Sequence, residues 1–159
     1  MKMKTIAIRE MLPEDVPEIA MIERSSFSAP WSETSFYSEV YNRHSITRIA
    51  ELDGMIVGYI CVKQIIDECH LMDLAAHPDH RKQGIATMLL NNVIADLRSD
   101  CRRMYLEVRA SNAAAVKLYG KFGFKTVGIR KNYYMHPEED AIIMMLTIEA
   151  DAPAQARPK

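Results

Sequence analysis

Arg81-Lys82-Gln83-Gly84-Ile85-Ala86-Thr87 stands where a strand-like run hands over to an amphipathic one, and its residue types suit an anion site. Small residues let backbone N–H groups point at a ligand. The positive end of the following helix favours phosphate, and Arg81 and Lys82 add formal charge. Taken alone, the segment fits equally a well-capped turn with two solvated basic residues. It lacks the Gly-Lys-Ser/Thr of a Walker loop and the three spaced glycines of a dinucleotide fold, so a phosphate held here belongs to another kind of ligand. Further along, the run Met104 to Val108 alternates: Met104, Leu106 and Val108 share one face, and Tyr105, Glu107 and Arg109 the other. That phase lets Glu107 face a cleft, where a carboxylate can take up a proton. Asn112 and Tyr119 are seven residues apart, two turns on one face of a helix, and a phenol there can release a proton. Each also has a structural reading, since a lone strand Glu is usually solvated or ion-paired and a helical Tyr is usually core.

These residues need elements to hold them. Thr5 to Arg9 alternates as a short strand, and Leu12-Pro13-Glu14-Asp15 opens a helix whose period is set by Val16, Ile19, Ala20 and Glu23. A second helix opens at Ser32, a capping residue flanked by the staple pair Trp31 and Phe36, and runs to about Asn42. Thr47 to Leu52 and Met55 to Ile65 flank the hairpin signal Asp53-Gly54, and Glu68 to Ala76 follows as another strand. After Pro78, Ile85, Met88, Leu89, Val93 and Leu97 describe one apolar stripe on a helix of about fourteen residues. The strand Met104 to Val108 comes next, then a helix from about Ser111-Asn112 to Gly123 with Ala115, Leu118 and Phe122 inward. Strands over Phe124 to Arg130 and Ala141 to Ile148 close the pattern. The order β-α-α-β-β-β-α-β-α-β-β describes a mixed α/β domain, antiparallel hairpins first and a βαβ crossover later. One domain over 1–149 is expected, with an Ala- and Pro-rich disordered tail over 150–159.

Composition excludes several classes. Twenty Lys+Arg against twenty-one Asp+Glu give a net charge of -1, without the footprint of a nucleic-acid or anionic-membrane binder. With 48% hydrophobic and 26% charged residues, the chain reads as globular and soluble rather than disordered or collagen-like. No apolar run approaches a membrane span, and no targeting signal opens the chain, so the expected compartment is the cytoplasm. Cys61, Cys69 and Cys101 are an odd set without Cys-x-x-Cys spacing, read as reduced thiols; Cys61 and Cys69 are not opposite each other across their hairpin. His70, Asp73, His77 and His80 lie near one another in sequence, but a strand, a Pro turn and a loop give no reason to converge, so no metal is expected.

His77-Pro78-Asp79-His80-Arg81-Lys82-Gln83-Gly84-Ile85-Ala86 resembles the acetyl-coenzyme A motif of the GNAT superfamily: Gln or Arg, two residues, Gly, one residue, then Gly or Ala. Arg81, Gly84 and Ala86 fill it. The runs Leu106 to Ala115, Leu118-Tyr119 with Gly123-Phe124, Pro30-Trp31-Ser32, Arg130-Lys131-Asn132-Tyr133-Tyr134 and Asp140 to Met144 are similar to those of bacterial ribosomal-protein-alanine N-acetyltransferases. The resemblance implies a mixed, splayed central sheet with helices on both faces, and acetyl-coenzyme A as cosubstrate. It implies that Leu74, Ala75 and Ala76 pair with the pantetheine arm, that Arg81, Lys82, Gln83, Gly84, Ile85, Ala86 and Thr87 hold the pyrophosphate, and that Asn112 and Tyr119 add coenzyme contacts. Glu107 is implied as the acceptor of the amine proton and Tyr119 as the acid for the departing thiolate. Tyr133 and Tyr134 are expected to line an acceptor cleft; Trp31 either lines it or serves only as a staple. The expected acceptor is a protein N-terminus, that of a ribosomal protein, with no direct nucleic-acid or membrane partner. Two other readings stand beside it: an acetyltransferase for a small amine or lysine side chain, and a coenzyme-binding regulatory module without turnover.

Overall fold

Alternating apolar residues become strands here because one face of each is buried, and the computed structural model of the chain describes residues 5–97 and 101–148. Seven strands form one sheet: β1 (Ala7–Glu10), β2 (Ser45–Leu52), β3 (Met55–Ile65), β4 (Glu68–Ala76), β5 (Arg103–Arg109), β6 (Lys125–Tyr134) and β7 (Glu139–Thr147). Their spatial order is β1-β2-β3-β4-β5-β7-β6. Strands β4 and β5 run parallel, whereas β1–β2, β2–β3, β5–β7 and β6–β7 run antiparallel, so the sheet is mixed and open. The chain divides into two compact units, one of Met1–Lys63 with Met72–Asp96, the other of Gln64–Leu71 with Leu97–Lys159.

In the first unit, a 3-10 turn over Pro13–Asp15 leads into α1 (Val16–Ser26), and the periodic residues Val16, Ile19, Ala20 and Glu23 are all buried. The Arg9 guanidinium forks onto Asp15 at 2.8 and 2.9 Å, and the same carboxylate accepts the Leu12 N–H at 2.7 Å. That partnership with Arg9 holds the Asp15 carboxyl below its ordinary range. Helix α2 (Glu33–Tyr41) begins as expected: Ser32 Oγ accepts the Ser35 N–H, and the Trp31 and Phe36 rings meet at 5.2 Å. Phe36 also meets the Tyr59 ring edge-on at 5.6 Å, which places α2 on the face of β3 that Tyr59 occupies. The neighbouring Gly58 faces the other way, toward Ile85 and Leu89 of α3 (Ile85–Asp96), so helices cover both faces. Helix α3 has twelve residues and ends before Leu97.

In the second unit, β5 pairs with β7 from Arg103↔Thr147 to Arg109↔Ala141, while Glu68, Cys69 and His70 lie opposite Arg103, Met104 and Tyr105. Helix α4 (Ala113–Phe122) is capped by Asn112, whose Oδ1 accepts the Ala115 N–H, and ends at a left-handed Gly123. Its inward face is centred on buried Tyr119 and Phe122, with Ala115 and Leu118 half-buried. Two expectations need correction. Strand β6 does not stop at Arg130: it continues to Tyr134 through an irregularity in which Arg130 pairs with Ala141 and Tyr134 with Glu139. Asn132 takes a left-handed conformation there (φ 54°), and its N–H donates to Asp140 Oδ1 at 2.9 Å, so the extra residues bulge without ending the strand. Nor are all the thiols separate. Cys69 is joined to Cys101, with Cα atoms 6.7 Å apart, because the parallel alignment of β4 with β5 brings the segment before β5 beside Cys69; Cys61 is free and buried. The residues expected to form a disordered tail lie outside the described residues.

Candidate active site

The first unit carries the loop expected to hold an anion. Leu74, Ala75 and Ala76 end β4, and the chain then turns through Pro78–His80, where His77 Nδ1 accepts the Asp79 N–H at 3.1 Å. Lys82 and Gly84 both adopt left-handed backbone (φ 63° and 79°), and this pair of reversals shapes Arg81 to Gly84 into a loop ahead of α3. Glycine takes such a conformation without steric cost; lysine does not, and its retention there is local strain. A Cβ placed on Gly84 would meet no protein atom within 4 Å, so the space beside it is open. The first N–H groups of α3, from Ile85, Ala86 and Thr87, have no partner within the helix. Arg81 is exposed and donates from Nη2 to Ser26 Oγ at 3.3 Å. Open space, helix N–H groups without an intrahelical partner and two basic residues fit the pyrophosphate of a coenzyme.

The second unit carries the titratable groups. The phase of β5 is as expected: Met104, Leu106 and Val108 are buried, Tyr105, Glu107 and Arg109 partly open. Glu107 Oε2 lies 2.6 Å from His70 Nε2, with the carboxylate side chain 13% exposed and the imidazole 45%. An ionised carboxylate only accepts, so Nε2 carries the hydrogen and donates it. His70 fixes the orientation of Glu107, and sequence reasoning did not find it, because the imidazole reaches Glu107 only through parallel pairing of β4 with β5. Tyr134, half-buried, has its phenol pushed up to about 12, by burial first and then by the Glu107 charge, with Arg109 acting in the opposite sense. It therefore remains a hydrogen-bond donor throughout the neutral range. Tyr133 meets Tyr134 edge-on at 5.1 Å and lies under the Arg130 guanidinium at 5.6 Å.

The remaining expected residues divide by environment. Tyr119 is buried against Phe124, ring centroids 5.6 Å apart, while Asn112 is exposed and its Oδ1 is engaged in capping α4. Trp31 serves as the staple, and its backbone N–H also donates to Glu23 Oε2 at 3.0 Å. Among the described residues no group of three or more His, Cys, Asp or Glu gathers as a metal-holding set, and no helix is long and apolar enough to cross a membrane.

A relative from Bacillus subtilis (strain 168) is 40% identical over 149 residues, which cover 92% of this chain and 99% of the relative. The ribosomal protein bS18-alanine N-acetyltransferase of Escherichia coli (strain K12) is 37% identical over 137 residues, 84% of this chain and 92% of that protein. The crystal structure of the ribosomal-protein-S18-alanine N-acetyltransferase from Escherichia coli superposes with a TM-score of 0.83 at 34% identity, covering 91% of this chain and 94% of that one. Residues 16–124, which run from the start of α1 through the anion loop and Glu107 to the end of α4, match the Acetyltransferase (GNAT) family, and to that family this chain belongs.

Proposed function

We propose that this chain is a protein N-α-acetyltransferase that moves acetyl from acetyl-coenzyme A to the N-terminal alanine of ribosomal protein bS18, acting in the cytoplasm. The observation that carries the reading is the Glu107 carboxylate held at 2.6 Å by His70 on the same unit as Tyr134. The names of the Escherichia coli relative and structural neighbour support the acceptor.

Bound acetyl-coenzyme A supplies the thioester carbon that an amine attacks. On the first unit, Arg81 to Thr87 hold its pyrophosphate and Leu74 to Ala76 its arm; on the second, Tyr133 and Tyr134 line the acceptor. Glu107, oriented by His70, accepts the proton that the amine loses, directly or through one water; Tyr119 delivers a proton to the departing thiolate. The base need not be strong. An α-amino group of pKa about 7.8 is roughly one-third neutral at pH 7.5, whereas a lysine of pKa about 10.4 is about 0.1% neutral. A carboxylate base thus suits a protein N-terminus better than a lysine side chain.

The test is thiol release from acetyl-coenzyme A with mass spectrometry of the products. Three acceptors are offered: a peptide beginning with free Ala, the same peptide N-blocked but containing Lys, and a polyamine. Acetylation of the free N-terminus alone is the expected result. Consumption of the lysine peptide or polyamine instead would overturn the acceptor class, and tight coenzyme binding without thiol release would make the chain a binding module.

A further inference from the structure

Met135, His136, Pro137 and Glu138, which join β6 to β7, are all exposed, and a connection with so little buried surface opens readily unless its backbone is tied. Arg109, the last residue of β5, ties it. Nη2 donates to the Met135 carbonyl at 3.1 Å, and Nη1 donates to the Pro137 carbonyl at 3.0 Å and to Glu139 Oε1 at 3.2 Å. The other Glu139 oxygen accepts the Ser111 N–H, so one carboxylate links the guanidinium to the turn before α4. The guanidinium also lies over the Tyr134 ring, 4.5 Å from its centroid. Only 20% of the Arg109 side chain is exposed. Three acceptors and a ring face are met by one planar fork, a geometry that an ammonium cannot reproduce.

Arg109 stands two positions after Glu107 on the same face of β5, so it anchors the connection and Tyr134 to the strand that carries the base. We infer that Arg109 is a positioning residue for the acceptor: it holds the β6–β7 connection and the Tyr134 ring at a fixed place relative to Glu107, so that the amine meets a wall already formed. The inference rests on the reading of Tyr133 and Tyr134 as that wall. A residue that only stabilised the hairpin would lower folding stability and leave the acceptor no more affected than the coenzyme.

The experiment is steady-state kinetics on the full chain with Arg109→Gln, Arg109→Lys and Glu139→Gln, varying the Ala-peptide and acetyl-coenzyme A separately. Cleavage after Glu138 by a glutamate-specific protease is followed in parallel. Arg109→Gln is expected to raise the acceptor KM about tenfold or more while the coenzyme KM stays within about twofold. Arg109→Lys should recover part of the loss. Glu139→Gln, which leaves the two carbonyl bonds in place, should shift the acceptor KM in the same direction by less. Cleavage after Glu138 should be faster in both Arg109 variants. An acceptor KM unchanged in these variants, or acceptor and coenzyme KM rising together, would overturn the inference. If Arg109→Gln does not fold, the other two variants decide by the same criterion. If the parent enzyme acetylates only lysine or a polyamine, the acceptor reading has failed by itself. The same variants are then compared with that amine, and a selective rise in its KM supports the positioning role while an equal rise ends it.

Discussion

On the proposed mechanism a carboxylate base matters most when its substrate is mostly protonated, which a Glu107 variant tests. Glu107→Gln is expected to lower kcat/KM by about 100-fold or more at pH 7.5, with the deficit shrinking as pH rises past the α-amino pKa of about 7.8 and the acceptor loses its proton unaided. A variant with full turnover from pH 6 to 9 would exclude the assignment. Tyr119→Phe keeps the ring that packs on Phe124 and removes only the hydroxyl, so turnover should fall while the acetyl-coenzyme A KM stays close to that of the parent. A change in coenzyme binding alone would make Tyr119 a packing residue. The placement of Glu107 on the partly open face of β5 and of Tyr119 on α4 was legible in the sequence, because strand phase and helical spacing are local. His70 was not, since its 2.6 Å bond to Glu107 spans 37 positions and depends on which strands are neighbours. Asn112 was legible as the start of a helix, and its Oδ1 proves to cap α4 by accepting the Ala115 N–H.

At the scale of elements, the close approach of α3 to β3 depends on Gly58. A Cβ added there would come within 2.6 Å of Ile85 Cγ2 and 3.0 Å of the Ala75 carbonyl oxygen. One contact is with a core side chain and the other with the backbone of β4, so neither yields cheaply. Gly58→Ala should destabilise the fold by about 1–3 kcal/mol, read as a lower denaturant midpoint at unchanged m-value. An unchanged midpoint would mean that α3 shifts freely. Helix α2 illustrates what sequence alone can resolve: the Ser32 cap and the Trp31–Phe36 staple lie within a few residues of each other, and both are realised. The extension of β6 beyond Arg130 was not legible, because its bulge is stabilised by Asp140 on the partner strand.

Across the whole molecule, a pair of buried carboxyls ties stability to pH. Glu23 accepts the Tyr59 hydroxyl at 2.6 Å and the Trp31 backbone N–H, and Asp73 lies beside it with Oδ2 buried and without a hydrogen-bond partner among the described residues. Burial first, and the neighbouring Glu23 next, hold the Asp73 carboxyl well above the ordinary carboxylate range. The folded chain therefore keeps a proton that the unfolded chain releases, and stability falls as pH rises from the ordinary value of 3.8 through the raised folded one. Asp73→Asn removes the charge without changing the shape. It should raise Tm at pH 8 by about 2–4 °C for each kcal/mol gained, with a smaller gain at pH 5. An equal change at both pH values would exclude the raised Asp73 carboxyl as the cause. The sequence by itself determined the order and kind of the elements and the place of the loop between β4 and α3, since periodicity, caps and turns are written within a few residues of each other. Only the tertiary structure decided the parallel pairing of β4 with β5, the contacts His70–Glu107 and Arg109–Glu139, the union of Cys69 with Cys101 and the buried carboxyl pair. Each joins residues remote in sequence, and which remote residues meet is set by strand order, register and burial, none of which local spacing encodes.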